Sequence, residues 1–334
     1  MSSFISIVIP TYNRADQLGR VIEHILESDT TGIDGIEIIV VDDGSHVPVK
    51  NVVEALQTSP PFSLTYIYQT NSGPAQARNR GFKAATGEIV LFLDDDILLF
   101  PESVKAHMDA HKKFSGSAIY GKTPYLPPAR STPAFRYLNG LTSGDYEALG
   151  SEPDTEFVKI DVVASANLSV ERNLFETDDV YNVDLAKLGE EYDLEHRLNG
   201  RGIPIYLLNK NTGWHLQPTT INDKCVQEFK YGIGAAEAWR KIPGIETNPH
   251  LFRFVVVNGP FDSSRDGIAD RMKKGVKSII SREPVRKSLL KLTNIFESIL
   301  PFDFVLFRCY RVLCGIHFFA GFREGLRFHD ERAN

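Results

Sequence analysis

Three consecutive aspartates, Asp94-Asp95-Asp96, follow the apolar run Ile89-Val90-Leu91-Phe92-Leu93 and precede Ile97-Leu98-Leu99. Adjacent carboxylates repel one another unless a cation or a cationic side chain sits among them, and their oxygens suit hard divalent ions that can in turn hold a diphosphate. Helix capping would account for one acid of the three. A calcium loop of the EF-hand type does not fit, because the glycine and the alternating acids are missing downstream. Two further polar clusters close apolar runs in the same way: Thr11-Tyr12-Asn13-Arg14 after Phe4–Pro10, and Asp42-Asp43-Gly44-Ser45 after Ile36–Val41. A fourth segment, Asn71 to Gly81, opens with Gly73-Pro74 and carries Arg78 and Arg80 in the first two turns of an expected helix. Arginine there opposes the helix dipole and so points to an anion nearby; surface solubility is the alternative.

The elements that must position these groups alternate. Apolar, β-branched runs at 4–10, 36–41, 64–68 and 88–93 read as strands, and periodic stretches at about 16–26, 49–57 and 74–85 read as helices. Strand, helix, strand, helix with short connections predicts an open, mostly parallel sheet covered on both faces. Such sheets hold ligands beyond the carboxyl ends of their strands, so the three polar clusters are expected on one rim. The stretch 122–156, with Pro124, Pro127, Pro128 and Pro133, reads as a long loop region. Strand is expected from Phe157 to Val170, helix from Glu190 to Asn199, strand from Ile203 to Leu208 leading to Trp214-His215, and helices beyond about residue 224.

Composition narrows the classes. The chain has 334 residues, 42% of them hydrophobic and 24% charged, which excludes wholesale disorder, collagen and coiled coil. Three dispersed cysteines form no disulfide framework and no zinc knuckle, and a reducing compartment suits them. The net charge of −6 conceals an acidic body and a basic tail beyond residue 270, a balance that argues against nucleic acid and points the tail at an anionic surface or at a solvated helix face. Gly232-Ile233-Gly234 lacks a preceding strand and is no dinucleotide fingerprint, and no phosphate loop ending in Gly-Lys-Ser/Thr occurs. The amino terminus shows no basic region followed by an apolar one, so no secretory signal is expected. Asp303, Arg308, Arg311 and His317 interrupt the apolar stretch 299–320, so no membrane-spanning helix is expected either.

In their order along the chain, Ser6 to Arg14, Ile39 to Ser45, Ala77 to Gly81 and Phe92 to Asp96 resemble the inverting family 2 glycosyltransferases of the GT-A fold. The likeness continues more loosely through Ala166-Asn167-Leu168-Ser169, the segment 189–202 and His215. It implies a Rossmann-like, mostly parallel central sheet with a carboxyl-terminal helical extension: a transferase domain over 1–225, with a nucleotide-sugar half at 1–121 and an acceptor half at 122–225, then a basic helical region at 226–334. It also implies roles. Thr11 and Asp43 would hold the nucleotide base with Asp42 in support, and Arg78 would lie near the phosphates. Pro10, Tyr12, Arg14, Asp94, Asp95 and Asn167 complete the nucleotide-sugar contacts. Asp96 and Asp94 would bind a divalent cation, Mn2+ or Mg2+, with His215 as an optional third ligand; a packed or solvated histidine is the alternative there.

The family carries Glu-Asp where this chain has Glu190-Glu191, so Glu191 stands at the position of the base with one extra methylene, and Asp193 is the fallback. The reaction implied is a single inverting displacement, from a UDP- or dTDP-sugar to a hydroxyl of a glycan, glycolipid or glycoprotein in cell-surface polysaccharide synthesis. A polyprenyl-phosphate sugar synthase and a catalytically silent nucleotide-sugar binder are the competing readings. The apolar and basic residues of 285–328 match either an amphipathic element at a membrane interface or a helix packed on the catalytic domain. The expected location is the cytoplasm, at the inner face of the cell membrane.

Overall fold

The computed structural model describes residues 3–56, 58–144, 156–175, 179–185, 189–216, 220–248, 251, 266–299 and 302–327. The chain divides into two compact units. One comprises Met1–Leu126, Leu141–Val183 and Leu194–Gln217; the other comprises Pro127–Gly140, Asp184–Asp193 and Pro218–Asn334.

The first unit is built on an eight-stranded sheet. In chain order its elements are β1 (Phe4–Thr11), α1 (Ala15–Leu26), β2 (Gly35–Asp42), α2 (Lys50–Ala55), β3 (Phe62–Tyr68), α3 (Pro74–Ala84), β4 (Ile89–Leu93), β5 (Ile97–Leu99), α4 (Ser103–Lys113) and β6 (Ala118–Lys122). Then come β7 (Phe157–Ile160), β8 (Asn167–Glu171), β9 (Ile205–Asn211) and β10 (Gly213–His215), while α5 (Pro133–Gly144) and α6 (Glu190–Gly200) are divided between the two units. Strands run in the order β3-β2-β1-β4-β8-β6-β9-β7, and β5 pairs with β10 apart from them.

The half from β3 to β4 is wholly parallel, as expected. Beyond it the sheet is mixed, because β8 runs antiparallel to both β4 and β6, and β7 antiparallel to β9. Period-two alternation sorts β1 between two cores. Ile5, Ile7 and Ile9 join Leu18, Val21, Ile22 and Ile25 of α1 on one face, and Val8 joins Ala77 and Phe82 of α3 on the other. Strands buried on both sides read as unbroken apolar runs, which is why they stand out in the sequence. The segment read as loop between 122 and 156 contains α5: Pro133 occupies a helix start, where its missing N–H costs nothing.

A buried polar bridge crosses this unit beneath β8. Ser169 Oγ lies 2.8 Å from His107 Nδ1 and 2.8 Å from His111 Nε2, tying α4 to the sheet. Burial pushes both imidazoles down, His107 to about 3 and His111 to about 4. In the unfolded chain they titrate near 6.5, so between that value and about 4 the unfolded state binds protons that the folded state refuses. Stability therefore falls as pH falls through this window, by about 1.4 kcal/mol per pH unit for each histidine. Urea unfolding midpoints that stay level between about pH 7 and pH 5 would contradict neutral burial.

The second unit is helical, with α7 (Ile221–Lys241), α8 (Ile268–Ile280), α9 (Glu283–Ile299) and α10 (Asp303–Arg327). Its core joins Ala235, Ala236 and Ala238 of α7 to Phe318 and Phe322 of α10. By length and composition α10 is apolar enough to cross a membrane, with a mean hydropathy of 1.3 over 18 residues. More than half of that window is nevertheless buried inside the protein, as in a core helix. Arg136 of α5 grips Asp303 through two hydrogen bonds of 2.6 Å, and Tyr137 packs on Phe307 and Tyr310.

Candidate active site

Parallel pairing puts the carboxyl ends of β1, β2 and β4 on one rim of the first unit. The antiparallel β8 begins there too, since Asn167 pairs with Leu93, and the Asp94 N–H donates to the Ala166 carbonyl at 2.9 Å. The small β5–β10 ribbon sets His215 opposite Ile97, and the Leu216 N–H donates to the Asp96 carbonyl at 2.8 Å. The acidic run thus meets groups from the ends of β1, β8 and β10.

The cations that three adjacent carboxylates require are present as arginines. Arg14 Nη1 donates to Asp95 Oδ1 at 2.8 Å and to Asp96 Oδ2 at 2.9 Å, and Thr11 Oγ1 donates to Asp95 Oδ2 at 2.7 Å. Burial pushes the Asp95 carboxyl up to about 6, against the opposing pull of Arg14 and Thr11. Burial would lower the Arg14 pKa, but the two aspartates outweigh it and the guanidinium holds its proton more firmly than usual. On the other side of the run, Arg78 Nη2 donates to Asp94 Oδ1 at 2.8 Å. The anion that Arg78 implied at a helix start is therefore, in this structure, Asp94.

Asp42 and Asp43 divide their work. Asp42 accepts from the backbone N–H groups of Ser45 and Val49 and from the Tyr66 hydroxyl, and so pins its own turn. Asp43 accepts from Gln69 Nε2 and from the N–H groups of Ser72 and Gly73, drawing the start of α3 to the end of β2. Gly73 sits at φ +93°, which the turn into α3 requires. Asn13, at φ +57°, exchanges hydrogen bonds with the β2 turn: its N–H donates to Ser45 Oγ and its Oδ1 accepts from the His46 N–H. Tyr12 is exposed with its ring 6.0 Å from that of His46, and a cavity of about 430 Å³ opens beside Asn13, Arg14 and His46. Pro10 is the penultimate residue of β1. Asn167 is fully buried and donates from Nδ2 to Thr212 Oγ1 at 2.8 Å.

The ligand set suggested for a cation is assembled only in part. Asp96 Oδ1 and His215 Nε2 face one another at 3.3 Å, whereas Asp94 is engaged by Arg78. Among the described residues no group of three His, Cys, Asp or Glu side chains could hold a metal ion. Two neighbouring donors on an octahedral ion with bonds of about 2.1 Å stand about 3 Å apart. The Asp96–His215 pair has nearly that separation, and a pair suits an ion that takes its remaining ligands from phosphate and water.

Glu191 and Asp193 lie in the first turn of α6, within the segment that clusters with the second unit; Asp193 is buried and Glu191 half-buried. Farther along α6, Leu194 and Leu198 are buried in the core of the first unit. Sequence reasoning missed the support behind Arg78. Asn79 Nδ2 donates to the Tyr181 carbonyl at 2.7 Å and its Oδ1 accepts from the Tyr181 N–H at 2.9 Å. This holds the Tyr181 ring 5.2 Å from the Arg78 guanidinium, within cation–π range. Asn79 and Tyr181 are 102 positions apart, so no spacing pattern could have paired them.

Comparison with known proteins assigns this architecture to a class. Residues 6–142 match the family model described as glycosyl transferase family 2. An uncharacterized glycosyltransferase of Nostoc sp. is 41% identical over 122 residues, 36% of this chain and 36% of the relative. The fold is that of solved GT-A glycosyltransferases. A mannosyltransferase of Pyrobaculum calidifontis, in complex with GDP-Man and Mn2+, aligns with a TM-score of 0.61 at 17% identity, covering 97% of this chain and 87% of that one. TarS 1–349 of S. aureus, in complex with UDP, aligns at 0.51 and 15%, covering 98% and 91%. The chain spans between about a fifth and about a third of the length of the curated relatives it matches.

Proposed function

We propose that this protein transfers a sugar, with inversion, from a UDP- or dTDP-sugar to a hydroxyl of a glycan, glycolipid or glycoprotein in cell-surface polysaccharide synthesis. The observation that carries the reading is the meeting of Thr11, Arg14, Asp95, Asp96 and His215 at one strand-end rim. The UDP and the GDP-Man with Mn2+ bound in the two structural neighbours support a nucleotide donor and a divalent cation. Thr11, Tyr12 and Asp43 receive the base, with Pro10, Asp42, Asp94 and Asn167 shaping the recess. Asp96 and His215 would hold Mn2+ or Mg2+, which when bound offsets the negative charge that grows on the departing diphosphate. Arg14 and Arg78 supply fixed positive charge to the same region, where a water-poor site makes it count most. Glu191 takes the proton from the acceptor hydroxyl as it attacks, with Asp193 next in line. The free thiols of Cys225, Cys309 and Cys314 suit a cytoplasmic location.

One feature favours a silent nucleotide-sugar binder instead: the longer Glu191 where the family carries aspartate. Nucleoside diphosphate release, measured with Mn2+ over UDP- and dTDP-sugars, separates the two. A transferase releases diphosphate only with the cation, and Glu191→Gln slows it by about a hundredfold with nucleotide binding retained. Nucleotide binding without metal-dependent release in the wild type would overturn the enzyme reading.

A further inference from the structure

Two helices of the second unit are turned inside out. In α8 the large apolar side chains Ile268, Met272, Val276 and Ile279 fall at spacings of four, four and three, which places them on one stripe of the helix. Burial ought to claim that stripe. It is exposed instead: Ile268 is 79% accessible, Met272 68%, Val276 57% and Ile279 56%. The inward side of α8 carries a charge, Lys274, which is buried and donates from Nζ to the buried Asp266 carboxylate at 2.7 Å. The helix therefore spends a buried ion pair, whose desolvation is costly, on the side where apolar residues would ordinarily pack.

The same inversion recurs in α9. Leu292, Ile295, Phe296 and Ile299 follow at three, one and three residues, again a single stripe, and all four are exposed, while Thr293 is the buried residue. Phe302 and Phe304, in the approach to α10 and its first turn, are exposed as well. Large apolar patches of this kind on a soluble surface mark a contact.

Charge selects the partner. Between residues 266 and 312 the exposed Lys and Arg side chains, among the described residues, outnumber the exposed Asp and Glu by seven to two. Lys287 and Lys291 border the stripe of α9, Arg271 and Lys273 that of α8, and Arg308 and Arg311 lie beside the exposed Val312 of α10. Two copies meeting through this face would set like charges against each other, as any two-fold contact repeats the same patch on both sides. An apolar stripe edged with basic side chains is instead complementary to a bilayer carrying anionic headgroups, where the stripe enters the acyl boundary and the cations stay at the phosphates.

We propose that the exposed faces of α8 and α9 dock the protein on an anionic membrane surface as a peripheral contact, with α10 remaining a core helix of its unit. This places the contact on 268–299, where the sequence left 285–328 open between a membrane-facing element and a helix packed on the catalytic domain, and it is independent of the sugar-transfer reading. The test is flotation of the full chain with vesicles of phosphatidylcholine mixed with phosphatidylglycerol, against phosphatidylcholine alone. The expected result is binding to the mixed vesicles only, weakened by salt. The variant Met272→Gln/Ile279→Gln/Ile295→Gln/Ile299→Gln should bind at least about tenfold more weakly, with an unchanged melting point and unchanged UDP binding. Lys287→Gln/Lys291→Gln, which leaves the apolar stripe intact, should weaken binding to the mixed vesicles and guards against misfolding of the first variant. A full chain that stays with the soluble fraction overturns the proposal, as does a quadruple variant that floats like the wild type. Self-association of the wild type that the quadruple variant abolishes, without vesicle binding, would reassign the face to a second copy and equally overturn it.

Discussion

Asparagine in place of Asp96 is expected to lower metal-dependent nucleoside diphosphate release about a thousandfold, the loss of roughly 4 kcal/mol of transition-state stabilisation. The side chain is 4% accessible, so the substitution changes charge while keeping shape. It accepts from Arg14 Nη1 at 2.9 Å and faces His215 Nε2 at 3.3 Å, and no other carboxylate of the run does both. Asp94, held by Arg78 at 2.8 Å, supplies the comparison: Asp94→Asn should cost less, because Arg78 keeps its stacking on Tyr181. Thermal stabilisation by Mn2+ reads the same contrast without turnover and should vanish in Asp96→Asn alone. Release within tenfold of wild type would mean that the cation is held elsewhere.

A methyl group at Gly321 should unfold the second unit far more readily, by about 3 kcal/mol, the upper part of the range for overpacking, or roughly 10 °C in melting point. Its added carbon would overlap the carbonyl oxygen of Phe229 on α7, and one at Gly232 would overlap the carbonyl of Phe318 on α10. Backbone cannot swing aside as a side-chain tip can, so the two helices must separate. The same helix holds the opposite case. Gly315 is exposed with nothing within 4 Å of an added Cβ, so Gly315→Ala should stabilise by about 0.5–1 kcal/mol through helix propensity alone. Thermal melts of the two variants should therefore move in opposite directions. If Gly321→Ala melts with the wild type, the close approach of α7 and α10 is wrong.

The parallel half of the sheet was legible because its strands are buried on both faces and read as unbroken Val, Ile and Leu. From that pattern alone the polar ends of β1, β2 and β4 belong on one rim. What was not legible depends on pairing across distance. The reversal at β8 leaves no mark in its composition, although it brings Asn167 beside Leu93. The three-residue β10 is too short to carry a period, yet it carries His215 to Asp96. Four prolines made 122–156 look like loop, whereas Pro133 begins α5, since proline is tolerated at a helix start and rejected in its interior. Arg14 stands at the N-cap of α1 without a side-chain cap, its guanidinium drawn to Asp95 and Asp96. Charge patterns locate an arginine that needs an anion; only the folded chain says which anion it finds.

The six donors gathered by Asp42 and Asp43 set the conditions under which any ligand enters this rim. A recess rigidified from within loses little further freedom on occupancy, so the entropy of ordering is settled at folding and not at association. Discrimination between uracil and thymine would then reside in the fit of rigid walls around one methyl group, a difference of tenfold to a few hundredfold at most.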